Sequence, residues 1–293
     1  MSRGSHIEWA TLGLERGASW NPIIAVRKDN GQRGWACVRV AEGCKNCYAA
    51  TLNMRQRGIG TGLDYTMSGL SQVDIQLVRT GKGDSDISAP MRWRKPTGIF
   101  VCSMTDLFGE FVDESLILEI VHVMDVSDRH RFAVLTKRVE RMAEFIIDWY
   151  HSESPERTHY FISPWHIWYG FSAGTQKSVD AAYPHFLRLR SLFGRDIILW
   201  VSNEPALESI DWTGWEGLLN WMVTGGESGT NARPMPENAP YRDRDWCDRN
   251  GVPWFFKQGS QANWPDFKNF DSFPEGLKIR QFPFGIDNPL ESL

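Results

Sequence analysis

Three cysteines within eleven residues are the part of this chain best suited to chemistry: Cys37-Val-Arg-Val-Ala-Glu-Gly-Cys44-Lys-Asn-Cys47, spaced C-x6-C-x2-C. They are three of the five cysteines among 293 residues. Thiolates this close in sequence select zinc, copper(I) or an iron–sulfur cluster. A structural zinc normally closes on four protein ligands, and a [4Fe–4S] cube also usually takes four thiolates. Three leave one position open, and an open position on a metal is where chemistry happens. Closure as Cys3His has no local donor, because the nearest histidines are His6, well upstream, and His122, far downstream. A disulfide fits poorly with an odd local count. The plain alternative is inert buried thiols.

The elements that must carry this loop can be read from apolar patterning. Ile23–Val26 reads as a short strand, Lys28–Gly34 as turn chemistry and Cys47–Arg57 as a helix ended by Gly58 and Gly60. Residues 60–89 are rich in Gly, Ser, Asp and Thr and read as a surface excursion. From Gly98 onward strands and helices alternate. Strands are expected at Ile99–Cys102, Arg131–Leu135, His166–Phe171, Asp196–Val201, Trp221–Val223 and Val252–Phe256. Helices are expected at Leu116–Met124, Val139–Tyr150, Val179–Phe193 and Tyr241–Asn250. Repeated strand-then-helix order predicts an α/β fold with parallel strands and crossover helices, closed or partly closed as a barrel. The expectation is one domain over 1–293, with 263–293 as an irregular C-terminal cover. Arg3-Gly-Ser-His6 resembles a cloning remnant.

In such folds the polar residues just after each strand are the candidates for binding and catalysis. They are Ser103, Thr105 and Asp106; Thr136, Lys137 and Arg138; Ser172 and Gln176; Ser202, Asn203 and Glu204; Thr224, Gly225, Gly226 and Glu227; Lys257 and Gln258. Taken alone, Gly225-Gly226 reads as a tight turn. Cys102 and Cys247 stand outside the cysteine loop, and a lone strand cysteine is usually a small apolar residue. Arg92-Trp93-Arg94-Lys95 places three cations around one indole. It reads either as a solvated lead-in to the next strand or as a phosphate contact beside a stacking ring. The net charge of −4 excludes a wholesale basic coat, so a nucleic-acid partner would have to meet a local patch. No run reaches the roughly eighteen apolar residues of a membrane span, and no charged-then-apolar leader opens the chain. A soluble, cytoplasmic protein without a membrane partner is expected. Fourteen tryptophans belong mostly in the core.

The cysteine loop with Tyr48 beside its last thiol resembles the radical S-adenosylmethionine (SAM) enzymes. The x6 gap is similar to one phage-borne branch of unknown function, itself similar in outline to spore photoproduct lyase. Other landmarks of that branch recur in order: Trp20-Asn21-Pro22, Ser103-Met-Thr-Asp106-Leu-Phe108, Leu135-Thr-Lys137-Arg138-Val-Glu140-Arg141-Met142, Gly225-Gly226-Glu227-Ser228-Gly229, Ala232-Arg233-Pro234-Met235 and Phe255-Phe256-Lys257-Gln258. The commonest superfamily spacing is C-x3-C-x2-C, so the x6 gap is a departure, as is the insertion of Ile23–Ala36 ahead of the cysteines.

The resemblance implies a partial (β/α)6 barrel in which Cys37, Cys44 and Cys47 hold a [4Fe–4S] cluster and SAM chelates its fourth iron. One electron would then cleave SAM to methionine and a 5′-deoxyadenosyl radical. For bound SAM, Lys137 or Arg138 suits the carboxylate, while Asp106 or Glu227 suits the ammonium or a ribose hydroxyl. Ser103, Thr105, Ser172, Ser202 and Glu204 complete the expected cofactor contacts. Gly225-Gly226-Glu227 is similar to the family motif that meets the SAM amino group. That motif usually follows the second strand, a place held here by Ser103–Asp106, so both stay candidates. The comparison with photoproduct lyase implies that Cys102 returns a hydrogen atom to product. It also implies a thymine-type base in DNA or a modified pyrimidine nucleotide as substrate, met by Arg92, Trp93, Arg94 and Lys95. A flavodoxin or ferredoxin would donate the electron, in the bacterial host cytoplasm if the gene is phage-borne. The competing class is a zinc- or cluster-stabilised nucleic-acid-binding protein without catalysis.

Overall fold

The computed structural model describes residues 7–55, 59–151 and 165–283. The Arg3–His6 stretch, the end of the helix expected to reach Arg57 and residues 284–293 of the C-terminal cover lie outside them. The chain divides into two compact units between Leu135 and Thr136.

The first unit opens with a 3-10 turn at Glu8–Thr11 and continues with β1 (Gly17–Trp20), β2 (Ile23–Arg27) and β3 (Arg33–Gly34). After a 3-10 turn at Glu42–Cys44 come α1 (Tyr48–Met54), α2 (Met67–Leu70), β4 (Val73–Leu77) and α3 (Ala89–Arg92). It closes with β5 (Gly98–Val101), α4 (Glu114–Asp125) and β6 (Arg131–Thr136), whose last residue opens the second unit. Strands β1, β5 and β6 are parallel, with Gly17 opposite Gly98 and Gly98 opposite Arg131. All four residues of β5 are buried, as a parallel strand covered on both faces requires. Helix α4 makes the crossover to β6, burying Ile117, Ile120, Val121 and Met124 at three- and four-residue spacing.

A second, antiparallel sheet in this unit has β2 between β3 and β4. Its outer strand β4 lies inside the segment expected as a surface excursion. Only the first and last residues of Val-Asp-Ile-Gln-Leu are buried, so the stretch is polar enough to read as loop. The same segment buries Tyr65 and Asp86. β1 went unexpected for a related reason, since it is four residues long and alternates half-buried with buried positions.

The second unit contains α5 (Val139–His151), β7 (Ile167–Ser172), α6 (Gln176–Phe193), β8 (Ile198–Asn203), β9 (Trp221–Gly225), α7 (Ala239–Asn250) and β10 (Trp254–Gln258). Strands β7, β8, β9 and β10 are parallel neighbours in that order. Every residue of β7, β8 and β9 is buried. Helix α6 starts where the hydroxyl of Thr175 accepts the amide of Ser178, and it buries Val179, Ala182, Phe186, Leu189 and Phe193 along one face. Indoles fill the sheet: Trp168 lies 5.5 Å from Trp221, and Trp221 5.2 Å from Trp200, between ring centroids. Gly170 is the register partner of Trp200. A Cβ on Gly170 would stand 2.4 Å from the Trp200 indole nitrogen, so only glycine leaves room for that ring. The edge of β10 is covered by the C-terminal segment, where the Phe256 amide donates to Ile279 and the Gln281 amide to Trp254.

The fold class is therefore α/β, with parallel strands joined by crossover helices, as the alternating pattern predicts. Among the described residues no helix is long and apolar enough to cross a membrane.

Candidate metal centre

The three cysteines sit on one loop of the first unit, half-buried and outside any disulfide. Cys37 follows β3, Cys44 ends the Glu42–Cys44 turn, and Cys47 caps the N-terminus of α1. Cys37 and Cys47 pack against the same small cluster, formed by Ala49, Ala50, Tyr65 and Met104. The Cys37 thiol lies 3.8 Å from the Val38 carbonyl, a weak hydrogen bond. Buried Asn53 of α1 ties the approach to this loop, its Oδ1 accepting the Trp35 amide at 2.9 Å and the Thr61 amide at 3.0 Å.

Four side chains fasten the loop and its surroundings to the turn after β5. The Tyr48 hydroxyl donates to the Ser103 carbonyl, and the Tyr65 hydroxyl donates to the Met104 carbonyl. Thr105 Oγ1 donates to the Ala36 carbonyl at 2.6 Å, next to Cys37. Asn21 contacts the Ser103 hydroxyl at 3.1 Å and accepts the Met104 amide at 3.0 Å. The sequence motifs Trp20-Asn21-Pro22, the cysteine loop and Ser103–Asp106 thus form one constellation at the C-terminal end of a parallel strand. Ligands gather at that end in α/β folds.

Sequence reasoning missed Arg39, Asp64 and Tyr65. The Arg39 guanidinium grips Asp64 with two bonds of 2.7 Å each and reaches the Cys44 carbonyl at 3.2 Å. The hydrogen bond to Asp64 raises the arginine's pKa, and the hydrogen bond from Arg39 lowers that of Asp64. The charges of Cys47 and Cys44 also reach Arg39, adding to its rise. Burial pushes the Tyr65 phenol up, and the charges of Cys47 and Cys37 push it further. One signal was available: an arginine inside the gap between two cysteines.

Among the described residues no group of three or more His, Cys, Asp or Glu is arranged to hold a metal ion. A single zinc would draw its thiolates to about 4 Å from one another, given bonds of about 2.3 Å in a tetrahedron. A cube asks less of the loop, because each thiolate binds a different iron. Thiols are the soft donors that such a cluster takes, and this loop carries three of them, none in a disulfide.

Cys102 lies at the start of the same turn, 4 % exposed, with its amide donating to Trp20. Its φ of 56° is left-handed, a region rarely occupied by a residue other than glycine, asparagine or aspartate. Burial pushes its thiol pKa up, and the Asp106 charge adds to the rise. Asp106 is itself buried and accepts the Phe108 amide at 3.1 Å.

The remaining strand-end candidates lie in the second unit. Lys137 is half-buried and Arg138 buried after β6, with the Arg138 amide donating to Thr136 Oγ1 at 2.9 Å. Ser172 and Ser202 are register partners at the ends of β7 and β8. Ser202 donates to Glu204 at 3.1 Å, and Lys257 pairs with Glu204 at 2.7 Å. Glu204 rests over Gly225, where a Cβ would come within 2.8 Å of the carboxylate. Gly226 is held more tightly still, since a Cβ there would meet the Ser260 amide nitrogen at 2.2 Å. Glu227 is committed to Arg233 by contacts of 2.7, 2.8 and 3.0 Å. Gly225-Gly226-Glu227 is thereby built into its own turn.

The cationic strip divides in two. Arg92 pairs at 2.9 Å with Asp86, which is 1 % exposed, and also bonds Ser88 and the Gly83 carbonyl. Burial pushes the Asp86 carboxyl up, yet hydrogen bonds from Ser88, Arg92 and the Gly81 amide bring it well below the usual range. Trp93 packs edge-on against His130 at 6.0 Å. Arg94 and Lys95 are exposed.

Parallel strands with crossover helices, and a three-cysteine loop bound to a strand end, define an α/β protein with a thiol-rich site at its strand termini. The chain belongs to the family described as protein of unknown function (DUF5131), whose model matches residues 5–274. No curated protein and no solved structure matches it.

Proposed function

We propose that this chain is a radical SAM enzyme with a partial (β/α)6 barrel, in which Cys37, Cys44 and Cys47 hold a [4Fe–4S] cluster. The carrying observation is the set of hydrogen bonds from Tyr48, Tyr65, Thr105 and Asn21 that joins the cysteine loop to Ser103–Thr105 after β5. The cluster, when bound, supplies the electron that cleaves SAM. The chain's own part is to present three thiolates at a strand end and leave the fourth iron open. Commitment of Glu227 to Arg233 favours Ser103–Asp106 over Gly225-Gly226-Glu227 as the contact to the SAM amino group.

Anaerobic reconstitution with iron and sulfide tests the proposal directly. The expected result is a brown protein holding about four irons per chain, which converts SAM to methionine and 5′-deoxyadenosine under a strong reductant. A colourless protein that takes up one zinc and leaves SAM intact would instead establish the non-catalytic reading.

The proposed substrate is a thymine-type base in DNA or its nucleotide, with Arg94 and Lys95 as phosphate contacts. Arg92 instead holds the loop around Asp86. Labelled DNA should bind more weakly as salt rises, and Arg94→Ala/Lys95→Ala should reduce the log–log salt slope by about 2. Arg92→Ala should chiefly lower the melting temperature. No binding at low salt, or an unchanged slope in the double variant, turns the assignment toward a free small molecule.

A further inference from the structure

We infer that Arg39 and Asp64 form a latch that restrains the three-cysteine loop and keeps its thiols near one another for metal binding. The inference concerns the site proposed above, and its cluster arm rests on that reading. Six residues separate Cys37 from Cys44, against two between Cys44 and Cys47. A longer gap has more backbone freedom to lose before its ends can act together. Arg39 lies inside that gap and bonds across it, its Nε donating to the Cys44 carbonyl at 3.2 Å. Its other two nitrogens hold Asp64 in a fork of two 2.7 Å bonds, and one of them also reaches the Tyr65 carbonyl at 3.3 Å. Tyr65 then donates to Met104 beyond β5. One guanidinium therefore connects the gap, the second cysteine and the strand end.

Asp64 is a suitable anchor because its own backbone is fixed. The Asp64 carbonyl accepts the Thr66 amide at 2.9 Å, and the Thr66 hydroxyl accepts the Gly69 amide at 3.0 Å to start α2. The preceding residue, Leu63, has its carbonyl held by Asn53 at 2.8 Å. An ordinary surface ion pair contributes little, and this one is partly exposed, with side chains at 32 % and 43 %. The bond across the gap is what sets it apart, since its acceptor is the carbonyl of a cysteine. Lysine carries the charge but has no planar fork to reach these acceptors together.

The test measures iodoacetamide alkylation, cysteine by cysteine, on chelator-treated full-length chain, and iron content after reconstitution. Arg39→Ala and Asp64→Ala should each raise the Cys44 alkylation rate about tenfold. Arg39→Lys should behave like Arg39→Ala, and Asp64→Asn should fall between. Cys102 in the first unit, 4 % exposed, and Cys247 in the second, 1 % exposed, should stay protected throughout and so report that each variant is folded. Reconstituted iron in Arg39→Ala should drop by at least half. Unchanged alkylation of all three loop cysteines in Arg39→Ala and Asp64→Asn would overturn the latch. So would faster alkylation with wild-type iron content. A wild-type chain that loads no iron overturns the cluster reading alone, and the latch is then decided by the alkylation rates.

Discussion

Replacing any one of Cys37, Cys44 and Cys47 with alanine is expected to abolish iron loading and SAM cleavage together. Each thiolate would hold its own iron, so a missing one has no neighbour to share its load. No fourth thiol stands in the loop; Cys102 is buried at the start of the adjoining turn and Cys247 in α7. Iron should fall to roughly a tenth of wild type or less, because partly ligated clusters are lost on desalting. Cys247→Ala should load normally, which separates ligand loss from a general loss of thiols. Cys102→Ala should also load, and would then isolate the hydrogen-donor role that the resemblance implies. Full iron content in Cys37→Ala would move the third ligand elsewhere and remove the x6 assignment.

The largest expected loss of stability is at Asp243, in α7. Its carboxylate is fully buried and accepts Asn203 Nδ2 and Thr224 Oγ1, each at 2.8 Å, on one oxygen. The other oxygen accepts the Trp212 indole at 2.8 Å. None of the three donors can turn away. Asn203 Oδ1 is held by the Gly174 amide at 3.0 Å, Thr224 Oγ1 accepts the Trp254 indole at 2.9 Å, and an indole nitrogen can only donate. Position 243 must therefore present acceptors alone. Burial pushes the Asp243 carboxyl up, and the three hydrogen bonds oppose that rise.

Asp243→Ala leaves three buried donors unsatisfied and should cost about 3–5 kcal/mol, or roughly 5–10 °C in melting temperature. Asp243→Asn keeps one acceptor but turns an amide toward a donor, so about half that loss is expected. Calorimetry of both variants decides it. A melting temperature within about 1 °C of wild type in Asp243→Ala would show that water satisfies the donors. The site is implicated as well, since Glu204 follows Asn203 and Gly225 follows Thr224. Loosening the ends of β8 and β9 should disturb the Lys257–Glu204 pair.

Strands such as Ile198–Asn203 were legible because they are buried on both faces and appear as unbroken apolar runs. Val73–Leu77 was not, since its polar middle is what an outer strand shows. Cysteine spacing marked the candidate centre without help from the fold. What spacing could not convey was the partner of each polar residue. Arg92 looked like a ligand contact and is paired with Asp86, six residues earlier. Glu227 looked open and is paired with Arg233, six residues later. Such pairings depend on how a turn folds back, which neither composition nor periodicity encodes.

Trp200 and Gly170, facing each other across β7 and β8, imply a rule for substitutions among relatives. The indole occupies the volume that a side chain at position 170 would need, and its nitrogen is spent on the Trp168 carbonyl at 3.2 Å. Growth at 170 is tolerable only where 200 has shrunk, and a smaller residue at 200 should invite a larger one at 170. The two positions should therefore change in concert across homologous sequences. A homologue with alanine or larger at 170 that still keeps tryptophan at 200 would have to spread these two strands.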